Sequence, residues 1–340
     1  MSIVKIRANT VTPLWTGNAW GKHKYIQSQS ILGSLRFWFE ILCYTSNIQV
    51  KSYNEESLNH DDFKSKVDEI LCEMLKRNEN NATLFEIKRR VLRELDISLP
   101  SQIFGCNGWQ GFIRIKEIKQ PIRLKKNQLG LKSTIIKKSG KSKRPSVWYL
   151  GIPYFWGEFT LELELESDEL RQTILYPLLN FIEKYGFIGG KNNLGYGRVK
   201  FEIEEGELTN YEKLIFDGYP HIELNKVVNK NITDFKGLLN ESLVDNKQIG
   251  LYIKEKSKKS SYAVIIEELI KNKSDERNKR DERNKSEDKT KRHYIFGSTE
   301  TDYYRDIKGP NATKIIPWID LIADDMYQYG YISLIMLQGV

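Results

Sequence analysis

Gly189-Gly190-Lys191-Asn192-Asn193-Leu194-Gly195-Tyr196-Gly197-Arg198 gathers four glycines and several side-chain donors into one short run. Glycine lets a backbone take φ > 0 and approach a partner that a Cβ would hold away. Lys191, Asn192, Asn193 and Arg198 could then donate to an anion. A phosphate loop of the Walker type needs Gly-x-x-x-x-Gly-Lys-Ser/Thr between a strand and a helix. Here Tyr185 stands where the first glycine belongs, and Asn192 where the hydroxyl belongs. The dinucleotide fingerprint fails as well, because Gly195-Tyr196-Gly197 is followed by Lys200 and opens a strand, not a helix. What remains is a glycine loop that is either a mobile turn or a surface that an anion can approach closely.

A second run, Leu14 to Tyr25, interleaves Trp15 and Trp20 with Lys22, His23 and Lys24. Aromatic faces beside cations are what single-stranded nucleic acid uses. His23 is the candidate for catalysis, a base of near-neutral pKa between two lysines that could hold a phosphate. No acid partner for it is evident, and no catalytic residue is assigned. From Arg114 to Arg144, twelve cations, among them Lys125, Lys126, Lys137 and Lys138, stand against Glu117 alone. That single-sign run is read as phosphate-binding. Asp61-Asp62 and Asp324-Asp325 sit in contexts read as helical and solvated. Four histidines and Cys43, Cys72 and Cys106 lack ligand spacing, so neither a metal site nor a cofactor is expected.

These residues need elements to hold them. Ile3, Lys5 and Arg7 alternate with apolar neighbours, as in a strand that Pro13 ends. Ile31, Leu32, Leu35, Trp38, Phe39 and Leu42 keep helical spacing behind a cap at Ser28 or Ser30. Ala82 to Leu95 predicts a helix with Leu84, Ile87, Val91 and Leu95 on one face. Thr160 to Glu166 alternates strictly, one side buried and one wet. Asp168 to Lys184 predicts a helix, the glycine loop follows, and Val199, Phe201 and Ile203 begin a strand. The order is β-α-β-β-α-β, a ferredoxin-like arrangement with helices inserted at about 47–98. A break at Glu205 to Leu208 divides residues 1–205 from 206–340. In the second part Asp275-Glu-Arg-Asn-Lys279 and Asp281-Glu-Arg-Asn-Lys285 form a near-repeat inside a charged low-complexity segment, 271–292, expected as an exposed loop or frayed helix, whose acids cancel much of its basic charge. Ile295-Phe296-Gly297 echoes Ile103-Phe104-Gly105.

The 340 residues carry a net charge of +8, which favours a polyanionic partner. An odd cysteine count fits a reducing compartment. No apolar run approaches the ~20 residues of a membrane span, and the N-terminus has no signal-peptide core. A cytoplasmic protein is expected.

Thr12-Pro13-Leu14-Trp15-Thr16-Gly17, Ile31-Leu32-Gly33-Ser34-Leu35-Arg36-Phe37-Trp38-Phe39, Ile103-Phe104-Gly105 and the glycine run together resemble the RAMP superfamily of CRISPR effector proteins. They look most like the first RAMP subunit of the type III-B (Cmr) complex. The resemblance implies tandem α+β ferredoxin-like domains with the glycine loop against RNA. It also implies a non-catalytic ribonucleoprotein subunit that holds guide RNA and captures complementary single-stranded target RNA beside other RAMP subunits. Carried over, it places Lys191, Asn192, Asn193 and Arg198 near an RNA backbone, with Arg36 supporting that surface; the reading of the residues adds Gly190 of the loop and Trp15, Lys22 and Lys24 of the aromatic run as RNA contacts. The family helix often carries basic residues where this chain has Leu32 and Glu40. The alternative is a metal-independent, guide-processing endoribonuclease using His23.

Overall fold

The computed structural model describes residues 1–17, 25–51, 55–76, 82–119, 123–125, 135–136, 146–147, 154–281, 294–297, 303–304, 307–308, 312–324 and 326–337. In β1 (Ser2–Thr10) buried Val4, Ile6 and Ala8 alternate with exposed Ile3, Lys5 and Arg7. α1 (Ser28–Thr45) buries Ile31, Leu35, Trp38, Phe39 and Leu42 against the sheet. Burial of side chains such as Phe39 and Leu42 contributes about 2 kcal/mol each. Trp38 also donates its indole N–H to the Phe187 carbonyl at 2.8 Å. The helix starts after Gln27 with no side-chain cap, so Ser28 and Ser30 lie inside its first turn and do not precede it. The Gln27 amide is taken instead by the Thr16 hydroxyl, 3.1 Å away.

The inserted helices are α2 (His60–Lys76), α3 (Leu84–Glu94) and α4 (Leu99–Phe104). α3 opens with a capping box in which Thr83 and Glu86 satisfy each other's amides, an arrangement that fixes a helix start. Its apolar side is broader than the stripe read from sequence. Ile87 and Val91 pack with Ile70 of α2 in a small core, Phe85 and Leu92 join the main core, and Leu84 is left exposed.

β2 (Ile113–Lys119), β3 (Glu158–Leu165) and β4 (Val199–Ile203) complete a four-stranded sheet in the order β2-β3-β1-β4, with each neighbouring pair antiparallel. Ile6 sits opposite Leu161 on one side and Ile203 on the other. Between β3 and β4 the predicted helix forms in two pieces, a π-type turn at Arg171–Leu175 and then α5 (Tyr176–Tyr185).

β5 (Val228–Ile232), β6 (Ile249–Lys259), β7 (Ile315–Ala323) and β8 (Met326–Ser333) form a second sheet in the order β5-β6-β8-β7. β5 runs parallel to β6 and the other pairs are antiparallel. α6 (Tyr262–Asp281) connects β6 toward β7 and buries Tyr262, Ile265, Ile266 and Leu269. It carries the first copy of the charged repeat as regular helix through Asp281, where the sequence predicts an exposed loop or frayed helix from 271, because the apolar start at 262–269 anchors the helix on the sheet. The molecule is thus α+β with largely antiparallel sheets. The main core is continuous across both, since Ile316, Trp318, Ile332 and Met336 join the cluster built on β1 and α1.

Candidate nucleic-acid interface

The glycine loop runs from α5 to β4 and closes on the segment after β1. Gly190 donates its amide to the Trp15 carbonyl at 2.8 Å, Gly197 to the Pro13 carbonyl at 2.9 Å, and Gly189 to the Ser34 hydroxyl at 2.9 Å. The glycines are needed for this closure. A Cβ on Gly189, where φ is 75°, would lie 2.4 Å from the Trp15 carbonyl oxygen. On Gly197, where φ is 92°, it would lie 2.1 Å from that of Ile188. The close partner these glycines permit is therefore the chain's own backbone.

What the loop offers outward is Lys191, Asn192 and Asn193. Lys191 is a non-glycine residue at φ 65°, and its ammonium lies over the Trp15 ring at 5.3 Å from the centroid. Asn192 and Asn193 turn toward a cleft of about 1020 Å³. Its walls are α1, with Ser30, Ser34 and Phe37, and α6, with Ile270, Lys273 and Arg277, closed by Phe296, Thr313 and Lys314. No carboxylate lines it among the described residues. Trp15, Gly190, Lys191, Asn192 and Asn193 are thus brought together.

Arg198 and Arg36 are not part of that surface. Arg198 has no exposed area. Its guanidinium donates to the carbonyls of Ile182 at 3.0 Å, Gly186 at 2.6 Å, Glu183 at 2.6 Å, Lys184 at 3.2 Å and, in β7, Ile319 at 3.0 Å. The last carbonyls of a helix have no partner within it, and Arg198 fills that gap at the end of α5. Burial draws its pKa down to about 10, with Asp320, Glu183 and Tyr185 opposing the shift, so it stays charged at neutral pH. Arg36 pairs with Glu40 at 2.6 Å and donates to the Ser101 hydroxyl at 3.0 Å and to the Gly105 carbonyl. It ties α1 to α4 and does not reach the cleft.

The basic run is also less uniform in space than in sequence. Lys116 and Lys119 of β2 flank Glu162 of β3 at 3.2 and 2.8 Å, and Arg114 lies 3.4 Å from Glu164. Acids some forty positions away in the chain neutralise its beginning, and Glu162, on the face expected to be wet, is covered as a result. Only the backbone of Lys125 is described. Lys22, Lys24, Lys126, Lys137, Lys138, Trp20 and the catalytic candidate His23 lie outside the described residues. Asp61 and Asp62 occupy the first turn of α2, where the helix dipole favours them. Asp324 is in the turn between β7 and β8, not in a helix.

Sequence reading passed over Lys273, Arg277 and Lys314. The signal was present, because Ile270, Lys273, Ser274 and Arg277 recur at i, i+3, i+4 and i+7 and so share one helical face. Summing the charges of the segment hid it. Lys273 donates to the Thr313 hydroxyl at 2.9 Å and the Ile315 carbonyl at 2.6 Å. Burial, assisted by Arg277, lowers its pKa to about 7, and burial also lowers that of Lys314.

Among the described residues no cluster of His, Cys, Asp and Glu could hold a metal ion, and no helix is long and apolar enough to cross a membrane.

The family model of the RAMP superfamily matches residues 7–200. No curated protein sequence matches the chain. Among solved structures, Cmr1 from Pyrococcus furiosus in its apo form is similar over 98% of this chain and 87% of its own, at 14% identity and a TM-score of 0.44. Cmr6 from Pyrococcus furiosus is similar over 58% of this chain and 96% of its own, at 17% identity and a TM-score of 0.27. A chain of a type IV-B CRISPR complex is similar over 61% of this chain and 93% of its own, at 13% identity and a TM-score of 0.33. The family match takes in the end of β1, α1, the inserted helices and the glycine loop, more than half of the sequence, and on it the chain belongs to the RAMP superfamily.

Proposed function

We propose that this chain is a non-catalytic, single-stranded-RNA-binding subunit of a CRISPR effector of the type III-B kind, holding guide RNA and capturing complementary target RNA beside other RAMP subunits. The observation that carries the reading is Lys191 laid over Trp15, a residue that lines the cleft together with Asn192 and Asn193. A cation and an aromatic face at one point suit a phosphate and its neighbouring base. The net charge of +8 supports a polyanionic partner. Residues 1–205 and 206–340 form two ferredoxin-like units in this reading. The order β2-β3-β1-β4 supports the first, and β7-β8-β6 repeats three of its four places.

Contacts of this kind are mostly to phosphate, which position a strand without reading it. Specificity then comes from pairing with the guide, as in other RNA-guided systems. The test is fluorescence anisotropy of labelled single-stranded RNAs of unrelated sequence, titrated with purified protein at several salt concentrations without divalent metal, followed by a gel for cleavage. The expected outcome is binding that weakens steeply with salt, varies little with sequence and leaves the RNA intact. Affinity indifferent to salt would overturn the binding mode. Cleavage lost on His23→Ala would overturn the non-catalytic reading in favour of the nuclease.

A further inference from the structure

Lys273 is a nucleophile that the function proposed above does not use. It stands on α6 in the wall of the cleft, with Arg277 one turn further along the helix and Lys314 on the chain entering β7. Its side-chain nitrogen donates to the Thr313 hydroxyl at 2.9 Å and to the Ile315 carbonyl at 2.6 Å. The Thr313 hydroxyl itself donates to the Ile315 carbonyl at 2.9 Å, so toward Lys273 it accepts. An ammonium has three N–H donors and no lone pair. A neutral amine has two N–H groups, which these two acceptors satisfy, and keeps a lone pair for reaction. Charge points the same way. The groups that face Lys273 across the cleft are Ser30 and Ser34 of α1 and Asn192 and Asn193 of the glycine loop, all uncharged, and the charged ones beside it are Arg277 and Lys314. No carboxylate lines the cleft among the described residues. An ammonium drawn out of water beside like charges is costly, and giving up its proton removes the cost. Burial and then Arg277 lower the pKa of Lys273 to about 7, so that about half of these amines are neutral at neutral pH. An ordinary lysine, of pKa about 10.4, is neutral in about one molecule in 2500 there. Desolvation next to a second cation is a recognised way of making a lysine nucleophilic.

We propose that Lys273 is an acylation site for acyl phosphates, its amine attacking the acyl carbon while Arg277 and Lys314 hold the phosphate that leaves. The C–N bond forms as the C–O bond to phosphate breaks. Inorganic phosphate departs with the electron pair of that bond, and the surplus proton of the amine passes to solvent. The product is an acyl-lysine amide, uncharged, so the cleft loses one cation for as long as the modification lasts. A volume of about 1020 Å³ accommodates a small acyl phosphate with room to spare. The step requires no RNA and stands apart from the function proposed above.

The experiment treats the full chain with acetyl phosphate at pH 7 and follows each lysine by mass spectrometry, after digestion with a protease that does not cut at lysine. Lys271, exposed on the same helix, is the internal reference. Lys273 should be acetylated about 10-fold faster than Lys271 or more, an advantage smaller than the ratio of neutral amines because a less basic amine is also a weaker nucleophile. The advantage should shrink as pH rises toward 10, where ordinary lysines lose their protons too, and should vanish in protein unfolded by urea. A parallel series with p-nitrophenyl acetate, whose leaving group is not a phosphate, isolates the two neighbouring cations. Arg277→Gln and Lys314→Gln should each lower the preference for acetyl phosphate over that ester several-fold. Lys273 modified no faster than Lys271 in folded wild-type protein, or with the same advantage in urea, overturns the proposal, and that reading needs no variant to fold. A preference between the two donors unchanged in both variants overturns the role given to Arg277 and Lys314.

Discussion

Arg198 and Lys273 are two cations drawn out of water, Arg198 at the end of α5 away from the cleft and Lys273 in its wall, and their surroundings treat them differently. Each of the five guanidinium N–H groups of Arg198 meets a carbonyl, four of them at the end of α5 and one in β7, and Asp320 lies 3.8 Å away. Lys273 has two neutral acceptors and a like charge, Arg277, for company. A saturated fork has nothing left to give a ligand. An ammonium held by neutral oxygens beside another cation has its charge still to be met. Burial alone does not separate a structural cation from a binding one; the remaining donors and the sign of the neighbours do.

Four measurements break or sharpen that contrast. Arg198→Met should cost about 3–5 kcal/mol of unfolding free energy, the usual result of emptying a buried charged network, read by denaturant titration. Arg198→Lys should recover little, because an ammonium cannot match the fork. A near-neutral result would dissolve the distinction. Lys273→Met should go the other way and raise stability by about 1 kcal/mol, as removing a strained functional group often does. Its folded pKa, about 7, lies below its unfolded value near 10.5. Wild-type stability should therefore climb as pH rises from 7 toward 10.5, and the advantage of Lys273→Met should shrink over that window. A pH-independent difference would mean that Lys273 is an ordinary, fully charged lysine.

Glu268 supplies the carboxylate comparison on the same helix. Its desolvation is outweighed by hydrogen bonds from Lys254, Lys258 and Tyr329, which bring its pKa down to about 2. Stability from this cluster is present above about pH 4.5 and is lost as pH falls toward 2. Glu268→Gln should cost about 1 kcal/mol at neutral pH and nothing measurable once both forms are protonated, in melts taken across that range. The smallest effect belongs to Lys191→Ala. Losing one cation over an aromatic face at a half-exposed site is worth about 0.5–1 kcal/mol, a loss of roughly 2- to 5-fold in RNA affinity by anisotropy. A larger loss would shift the weight of binding from the cleft to the Lys191–Trp15 pair.

The first half was readable because its elements obey one period each. β1 and β3 alternate, α1 keeps its i, i+3, i+4 stripe, and the glycine loop stands where helix gives way to strand. Arg198 misled for a reason of distance. Beside Gly195-Tyr196-Gly197 it reads as a phosphate contact, yet its acceptors are set by the end of α5 and by Ile319, over a hundred residues onward. Lys116 and Lys119 misled in the same way, since Glu162 reaches them only through strand pairing. In the second half the fourth place of the sheet is filled by β5, which precedes the other three strands in the chain and runs parallel to β6. A pattern search tuned to a strand after the last helix has nothing to find there.

The closure of the glycine loop on Trp15 and Ile188 bears on how relatives are judged. Gly189 and Gly197 are required by the chain's own backbone, whatever lies outside. A descendant that had abandoned its ligand would still be held to both glycines, while Lys191, Asn192 and Lys273 drifted freely. Inheritance of the loop thus certifies ancestry, and retention of those three side chains is the better witness to continued work.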